Sequence, residues 1–338
     1  MRRTAAELAE HARLSHLVLF IGSGASVDAG VPTWRELIAS VATKAGLEGT
    51  VAEKLQALDP RDAATVLQRR TGTDAAEVRK LICDEVNAVR GSLTHALLAS
   101  LRTREGVTTN YDQLFEITAH DASDPLAVLP FDRVRLGQRW LLKLHGGVDH
   151  PESIVFTRDD YLGAAASYGA LYGLLQALLM TKAMLFVGYS LSDEDFHAVM
   201  NEVTRVLARA PRGAGRDFDD RDEEVTRSIA RVLTLEEDLV FDDIWSPVTT
   251  IIPMSDTDER LSKLEEARRM QIFLDLVGFE AAETSEFLLD DTFAALLDRE
   301  EVKLRDALRE LEPQAQRSSS SEAWEPVRQL LRRYGADL

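Results

Sequence analysis

The sequence predicts an α/β fold with a Rossmann-like, mostly parallel sheet, a helical insertion and a helical C-terminal extension. Short apolar segments such as 17–21 and 183–187 alternate with helical patterns, as in sheets whose crossovers are helices. Polar or glycine-rich clusters follow several of these segments directly. Because ligands of open α/β sheets bind at the carboxyl ends of the strands, these clusters are predicted to share one site.

The predicted sheet elements lie within residues 1–254. The strand at 17–21 leads through a glycine turn into a helix from Arg35 to about Lys44, and helical periodicity then dominates residues 51–101 as an insertion. The further predicted strands are 106–109, 126–129, 140–144, an edge strand at 153–156, 183–187 and 248–252. Helices are predicted at 112–119 and about 158–182.

Two segments stand apart from this alternation. Residues 208–224 are rich in glycine, proline and charge, and we expect them to form a mobile surface loop. Residues 255–338 have a helical pattern and are predicted to form a C-terminal region for assembly or partner contacts. The predicted domains are therefore 1–254 and 255–338.

Composition and charge restrict the class of protein. The chain has 338 residues, of which 45% are apolar, enough for a sizeable core. The formal net charge of −18 disfavours direct nucleic-acid binding, because proteins that neutralise phosphates are usually basic. No apolar run approaches the roughly 20 residues of a membrane span, and the amphipathic N-terminus lacks the apolar core of a signal peptide. We therefore expect a cytoplasmic protein without a membrane partner.

The single cysteine limits metal and redox chemistry. Cys83 lies in an apolar helical context, which favours a buried and inert thiol. One cysteine cannot form an internal disulfide or a multi-cysteine zinc site. No zinc is expected.

The first candidate binding loop is Gly22-Ser23-Gly24-Ala25-Ser26, directly after the first strand. Glycines lack Cβ atoms, so backbone N–H groups can approach a pyrophosphate closely. The loop differs from the dehydrogenase fingerprint because Val27 stands where the third glycine would, and no Gly-Lys-Ser/Thr of a Walker A loop follows. A tight turn without a ligand is the alternative interpretation.

Three later clusters also follow predicted strands. Thr108-Thr109-Asn110-Tyr111-Asp112 offers an amide and a carboxylate that suit ribose hydroxyls or a carboxamide, although these residues also favour turns and helix caps. His145 precedes two glycines, and an imidazole there can serve as a general base or as a hydrogen-bonded structural histidine. Gly188-Tyr189-Ser190-Leu191 can hold a second ribose or phosphate, or form a simple βα turn.

Taken together and in this order, the clusters resemble the sirtuin family. Residues 22–26 with 30–35 look like the family's G-A-G-x-S…G-I-P-x-F-R loop, and residues 108–112 look like T-Q-N-x-D. Leu144-His145-Gly146 is similar to the catalytic histidine segment, and residues 188–191 are similar to G-T-S-L.

The departures from the family pattern refine this resemblance. Ser23, Trp34 and Thr109 stand where the family has Ala, Phe and Gln, and the four zinc-binding cysteines of sirtuin deacylases are missing. This pattern is similar to the sirtuin-like domains of bacterial antiphage defence proteins. The resemblance implies an NAD glycohydrolase that gives nicotinamide and ADP-ribose and depletes cellular NAD.

The resemblance also implies roles for individual residues. Asn110 and His145 would be catalytic, the first orienting the ribose or the water and the second acting as general base. The residues implied to bind NAD are Gly22, Ser23, Gly24, Ala25, Ser26, Pro32, Trp34, Arg35, Thr109, Asp112, Gly188, Ser190 and Leu191. Among them, the 22–26 loop and Arg35 would hold the pyrophosphate, Asp112 the carboxamide, and Gly188 with Ser190 the adenosine side.

Partners and alternatives follow from the same resemblance. A toxic NAD hydrolase needs restraint, so we expect a homo-oligomer, joined by an ATPase or another defence-system subunit. Three alternatives stay open: a non-catalytic NAD or nucleotide sensor that controls assembly, an NAD-dependent deacylase or ADP-ribosyltransferase, and a structural subunit of an active partner. The missing cysteines disfavour the deacylase.

Overall fold

The computed structural model describes residues 1–47, 49–71, 75–191, 194–209, 230–246, 248–282, 288–318 and 321–336. Within them one seven-stranded sheet forms, and every neighbouring pair of strands is parallel. The strands are β1 (Leu17–Ile21), β2 (Glu105–Thr108), β3 (Ala127–Leu129), β4 (Trp140–Lys143), β5 (Ala183–Val187), β6 (Ala230–Thr234) and β7 (Thr249–Pro253). Their order is β3-β4-β2-β1-β5-β6-β7, with β1 at the centre, which confirms the predicted parallel α/β fold.

Helices connect the strands, as parallel pairing requires. The α-helices of the described residues are α1 (Arg2–Arg13), α2 (Trp34–Lys44), α3 (Thr50–Ala57), α4 (Pro60–Thr71), α5 (Ala75–Val86), α6 (Leu93–Ser100), α7 (Leu114–Asp121), α8 (Arg158–Ser167), α9 (Gly169–Thr181), α10 (Glu194–Arg209), α11 (Leu239–Trp245), α12 (Lys263–Ala281), α13 (Arg299–Arg309), α14 (Glu312–Arg317) and α15 (Glu325–Arg333). Short 3-10 turns lie at Ser23–Ala29, Pro151–Ser153, Asp291–Leu296 and Glu322–Trp324.

The sheet core is built on the two central strands. Every residue of β1 and β5 is buried, as expected for parallel strands covered on both faces. Val18 and Phe20 of β1 share one apolar cluster with Leu175 of α9 and Val199 of α10. This packing fixes the carboxyl ends of the central strands.

The segment predicted as a helical insertion contains α3, α4, α5 and α6. The first three pack with α2 around a separate apolar cluster that includes Val41, Leu55, Leu67 and Ile82. Tyr111, in the loop after β2, belongs to the same cluster. The insertion therefore packs against the 108–112 loop, which is one of the predicted binding and catalytic loops.

The sheet differs from its prediction in two places. Residues 153–156 are no strand, because the segment bonds to two loops: Val155 N–H donates to His145 O at 3.0 Å, and Tyr111 Oη donates to Val155 O at 2.5 Å. The sequence analysis also missed β6, whose Arg231 interrupts an otherwise apolar strand pattern. Residues 208 and 209 end α10, and residues 210–224 of the predicted mobile loop lie outside the described residues.

The chain divides into two compact units, Met1–Glu280 and Ala281–Leu338. Helix α12 lies almost entirely in the first unit, where Gln271 Nε2 donates to Asp28 Oδ2 at 3.0 Å and Phe273 and Leu274 are buried. The second unit has its own core, which includes Leu288, Leu308 and Leu331. The predicted boundary after residue 254 stays a prediction about domains, whereas the compact units divide after Glu280.

Candidate active site

A cleft of about 710 Å³ lies at the carboxyl ends of β1, β2, β4 and β5. Gly24, Asn110, His145 and Gly188 line it, one from the loop after each of these strands. Its volume falls within the range of about 300–1,000 Å³ that is typical of small-molecule sites. The fold thus brings together the four loops that carry the predicted motifs.

Glycines form the wall of the cleft at the ends of β1 and β5. A Cβ on Gly22 would lie 2.4 Å from Gly188 O, and one on Gly188 would lie 2.2 Å from Ala25 N. Gly188 also has a φ of +67°, a backbone conformation that favours glycine. No side chain fits at Gly22, Gly24 or Gly188 without moving backbone.

These glycines serve close packing of two loops. The N–H of Gly22 donates to Val187 O at 2.9 Å, and the N–H of Gly24 donates to Gly188 O at 2.8 Å. Both N–H groups therefore bond within the protein, and any pyrophosphate would bind through other groups of the loop. Phosphate binding by the loop as a whole stays a prediction.

Asn110 presents an unpartnered acceptor at the cleft. The residue is 7% exposed, its Nδ2 donates to Ser26 Oγ at 3.2 Å, and its backbone N–H donates to Thr108 Oγ1 at 3.0 Å. Its Oδ1 is buried and has no hydrogen-bond partner within the part of the chain that the structure describes. Because an unsatisfied buried polar atom costs about 1–3 kcal/mol, a ligand that donates to this oxygen gains affinity there.

Asp112 is held from two sides. Its Oδ2 accepts from Ser26 Oγ at 2.9 Å, and its Oδ1 accepts from the N–H of Leu114 at 3.0 Å, at the start of α7. Ser26 is completely buried beneath Asn110 and Asp112 and does not line the cleft. The carboxylate is therefore fixed in place. Each of its two oxygens keeps a second lone pair that can accept a hydrogen bond from a ligand.

A buried lysine anchors the same loop from below. Lys143, the last residue of β4, donates from Nζ to Asp112 O at 2.6 Å and to Glu116 Oε1 at 2.7 Å, and it is only 3% exposed. Burial raises the pKa of Glu116, and the positive charge of Lys143 beside it opposes that rise. The pair ties β4 to α7 and orients the backbone that carries Asn110 and Asp112.

His145 lies in a tightly determined turn. The residue is 5% exposed, and its ring packs edge-on against Tyr161 with a centroid separation of 5.1 Å. Gly146 follows with a φ of +78°, and a Cβ there would lie 2.3 Å from Ser153 O. The turn therefore admits only glycine directly after His145.

The sequence analysis missed part of the cleft near His145. Tyr161 of α8 lies beneath the guanidinium of Arg61, 5.5 Å from the ring centroid. Arg61 in turn donates to Asp59 from Nε at 3.2 Å and from Nη2 at 3.3 Å, and these hydrogen bonds lower the pKa of Asp59. No motif marks these residues, since they come from helices α4 and α8 and from the residue before α4.

The loop after the glycines contributes Pro32, Trp34 and Arg35 to the lining. Trp34 packs against the rings of Tyr111 and Phe156, with centroid separations of 5.9 Å and 5.1 Å. Arg35 Nη1 donates to Gln56 O at 2.9 Å. The aromatic packing places Trp34 as a wall of the cleft and leaves Arg35 near its mouth.

Most predicted site residues lie at the cleft. Those that line it are Ser23, Gly24, Pro32, Trp34, Arg35, Thr109, Asn110, Asp112, His145, Gly188 and Ser190. Those that do not are Gly22, Ala25, Ser26 and Leu191. Ala25 and Leu191 are core residues at 4% and 1% exposure, and Gly22 and Ser26 act behind the lining.

Among the described residues, no group of three or more His, Cys, Asp or Glu side chains is arranged to hold a metal ion. No helix that the structure describes combines the length and apolarity needed to cross a membrane.

The fold and the cleft define a class: a parallel α/β protein with a ligand-sized cleft that is lined by an Asn-x-Asp loop and a His-Gly-Gly loop. The family described as "SIR2-like domain" matches residues 104–228. Residues 104–228 are therefore similar to a SIR2-like domain, which supports the sirtuin resemblance of the motifs that lie within them.

Several curated relatives are similar to this chain. NAD(+) hydrolase ThsA of Enterococcus faecium is 28% identical over 201 residues, which cover 57% of this chain and 41% of the relative. NAD(+) hydrolase ThsA of Acinetobacter baumannii is 25% identical over 262 residues, covering 70% and 52%. Defense-associated sirtuin 2 of Bacillus subtilis is 24% identical over 207 residues, covering 59% and 20%. The chain thus spans about half or less of the length of these relatives.

Among solved structures, a Sir2 homolog–NAD complex is similar with a TM-score of 0.44 and 12% identity. The similarity covers 82% of this chain and 94% of that structure.

Proposed function

We propose that this chain binds NAD in the cleft and hydrolyses it to nicotinamide and ADP-ribose. The observation that carries the proposal is the buried, unpartnered Oδ1 of Asn110, in the same cleft as His145. A ribose hydroxyl or a water molecule supplies the donor that this oxygen lacks. Relatives named NAD(+) hydrolase support the same reaction for this chain.

The proposed reaction replaces one bond at the ribose carbon C1′. The water oxygen bonds to C1′ while the bond from C1′ to the nicotinamide nitrogen breaks. The bonding pair leaves with nicotinamide, whose ring nitrogen loses its positive charge. The transition state has oxocarbenium character, as in glycoside cleavage in general. The water proton passes to His145 and then to solvent.

The roles of the surrounding residues belong to the same proposal. Asn110 Oδ1 accepts from a ribose hydroxyl or from the attacking water, and Asp112 accepts from the carboxamide. The 22–26 loop and Arg35 hold the pyrophosphate. Gly188 and Ser190, which line the cleft, hold the adenosine side.

Nicotinamide release from NAD by the purified chain tests the proposal directly. We expect Asn110→Ala and His145→Ala to abolish release while the proteins stay folded. Asn201→Ala and His120→Ala are matched controls, because both residues are exposed and neither lines the cleft. If the wild-type chain binds NAD tightly by calorimetry but releases no nicotinamide, alone or in an assembly, the sensor replaces the hydrolase.

We also propose that the chain self-assembles and that an ATPase or another defence-system subunit restrains or triggers it. Support for self-assembly comes from α12, where Leu264, Ile272 and Phe279 are 76%, 57% and 73% exposed. Light scattering across a concentration series tests self-assembly, with Phe279→Ser as the variant expected to weaken it. A monomer at every concentration contradicts it. NAD consumption with and without the neighbouring gene product tests the partner.

A further inference from the structure

A completely buried histidine lies behind the cleft and is used by none of the roles above. His95, in the first turn of α6, has 0% exposure and does not line the cavity. Its Nδ1 lies 3.2 Å from the backbone N of Ser92 and 3.0 Å from Ser92 Oγ. A backbone N–H can only donate, so Nδ1 is the acceptor and the proton of the neutral ring is on Nε2.

That Nε2–H faces the hydroxyl that supports both polar residues of the cleft. Nε2 of His95 lies 3.4 Å from Ser26 Oγ. Ser26 Oγ has one proton and two lone pairs. It donates its proton to Asp112 Oδ2 at 2.9 Å and accepts from Asn110 Nδ2 at 3.2 Å, and His95 is the donor for the second lone pair. Every hydrogen-bonding position of this hydroxyl is then used.

The direction of these bonds decides which end of the Asn110 amide faces the cleft. Because His95 donates, the Ser26 proton points to Asp112, and the Asn110 Nδ2 group must turn towards Ser26. Oδ1 of Asn110, a residue that lines the cleft, is then left as an acceptor without a partner in the described part of the chain. The other imidazole tautomer would draw the Ser26 proton to His95 and leave the Asp112 oxygen without its donor.

We propose that His95 is a positioning residue that fixes, through Ser26, the acceptor orientation of Asn110. The proposal rests on the hydrolase function proposed above, because it assigns Asn110 Oδ1 as the group that receives the hydrogen bond from the substrate or water. His95 itself touches neither. A purely space-filling histidine would not need a defined tautomer.

The kinetic test compares two replacements of similar size. His95→Leu removes the donor, and we expect kcat to fall about 10- to 100-fold with KM little changed, since small misplacements in a site can cost about 100-fold. His95→Gln keeps an N–H donor near the position of Nε2 and should retain most of the activity. Equal activity of a folded His95→Leu and the wild-type chain overturns the inference and leaves the hydrolase function intact.

Ser26→Ala keeps the test decisive if His95→Leu fails to fold. The double variant of Ser26→Ala with His95→Asn, whose shorter amide does not reach the Ser26 hydroxyl, should be no slower than Ser26→Ala alone, because both residues act through one hydroxyl. Additive losses of kcat in the double variant would contradict the proposal that His95 acts through Ser26.

Nitrogen NMR of the wild-type imidazoles gives a readout that does not depend on turnover. We expect the His95 ring to be neutral with its proton on Nε2. A proton on Nδ1 overturns the inference whether or not the chain hydrolyses NAD. If the wild-type chain releases no nicotinamide, that result instead contradicts the proposed hydrolase function.

Discussion

The two walls of the cleft are built by different physical means. The glycine wall, Gly24 and Gly188 with Gly22 behind them, depends on backbone atoms that meet at distances where no Cβ fits. The polar wall, Asn110 and Asp112 with their supports, depends on side-chain hydrogen bonds. The glycine wall should therefore reject every side chain, whereas the polar wall should accept a replacement that preserves its donors and acceptors.

The largest effect is expected for Gly188→Ala. The added Cβ would lie 2.2 Å from Ala25 N at a φ of +67°. Overpacking and left-handed strain together should lower the free energy of unfolding by about 3–5 kcal/mol. Urea denaturation measures the loss. Gly137→Ala is the matched control, because its φ is +77° but nothing lies within 4 Å of an added Cβ. Equal losses for both variants would show that close packing does not determine the glycine wall.

The next effect tests the support beneath the polar wall. Lys143→Met leaves Glu116 buried without its partner, and we expect a loss of about 3 kcal/mol in the free energy of unfolding. Adding Glu116→Leu should recover much of that loss, since an apolar pair can replace a buried ion pair. Denaturation of the single and double variants measures the coupling. No recovery in the double variant would mean that the lysine acts mainly through its bond to Asp112 O.

A smaller effect is expected for the pH dependence of stability. It distinguishes the two walls, because titratable side chains support the polar wall and backbone atoms form the glycine wall. Burial lowers the pKa of His95, although Asp112 and Asp28 oppose this. The unfolded chain then binds the proton more readily, so stability present above about pH 6.5 is lost as pH falls towards the lowered pKa, by at most about 1.4 kcal/mol per pH unit. Burial also lowers the pKa of His11, which adds to the loss.

Unfolding at pH 7.5 and at lower pH measures that slope. His95→Gln should reduce the loss of stability between the two conditions, while His120→Gln, at an exposed position, should leave it unchanged. Gly188→Ala should shift stability equally at both pH values. A slope that His95→Gln does not change would assign the pH dependence to other groups.

The smallest effect is expected for Ser23→Ala. Ser23 lines the cleft on the side of the glycine wall, but its side chain is exposed and no hydrogen bond holds it in the described structure. We expect stability to change by less than about 0.5 kcal/mol, with NAD affinity by calorimetry unchanged. A clear loss of affinity would mean that side chains, as well as backbone, contribute to that wall.

Local patterns were enough to predict the central sheet and the residues at strand ends. The apolar runs of β1 and β5 and the turns that follow them are short-range features, and Asn110, Asp112 and His145 follow such strands. The apolar segment 153–156 was misassigned because burial alone does not distinguish a strand from a loop whose backbone bonds to two neighbouring loops.

The supporting residues could not be predicted in this way. Tyr161 and Arg61 reach the cleft from helices whose positions depend on tertiary packing. His95 is not among the predicted site residues, because a histidine on an apolar helix carries no sign of the serine that it meets 69 positions away. Ser26 belongs to the recognised loop, yet only the structure places it beneath the cleft.

The pairing of β1 with β5 has a consequence for synthesis. Leu17 pairs with Ala183, so Gly22 and Gly24 meet Gly188 only after the whole intervening chain has been made. Asn110 and His145 emerge from the ribosome before that contact can form. A nascent chain therefore carries both proposed catalytic groups before Gly188 has completed the glycine wall. Under the proposed activity, a chain that is still on the ribosome does not hydrolyse NAD until β5 has paired with β1.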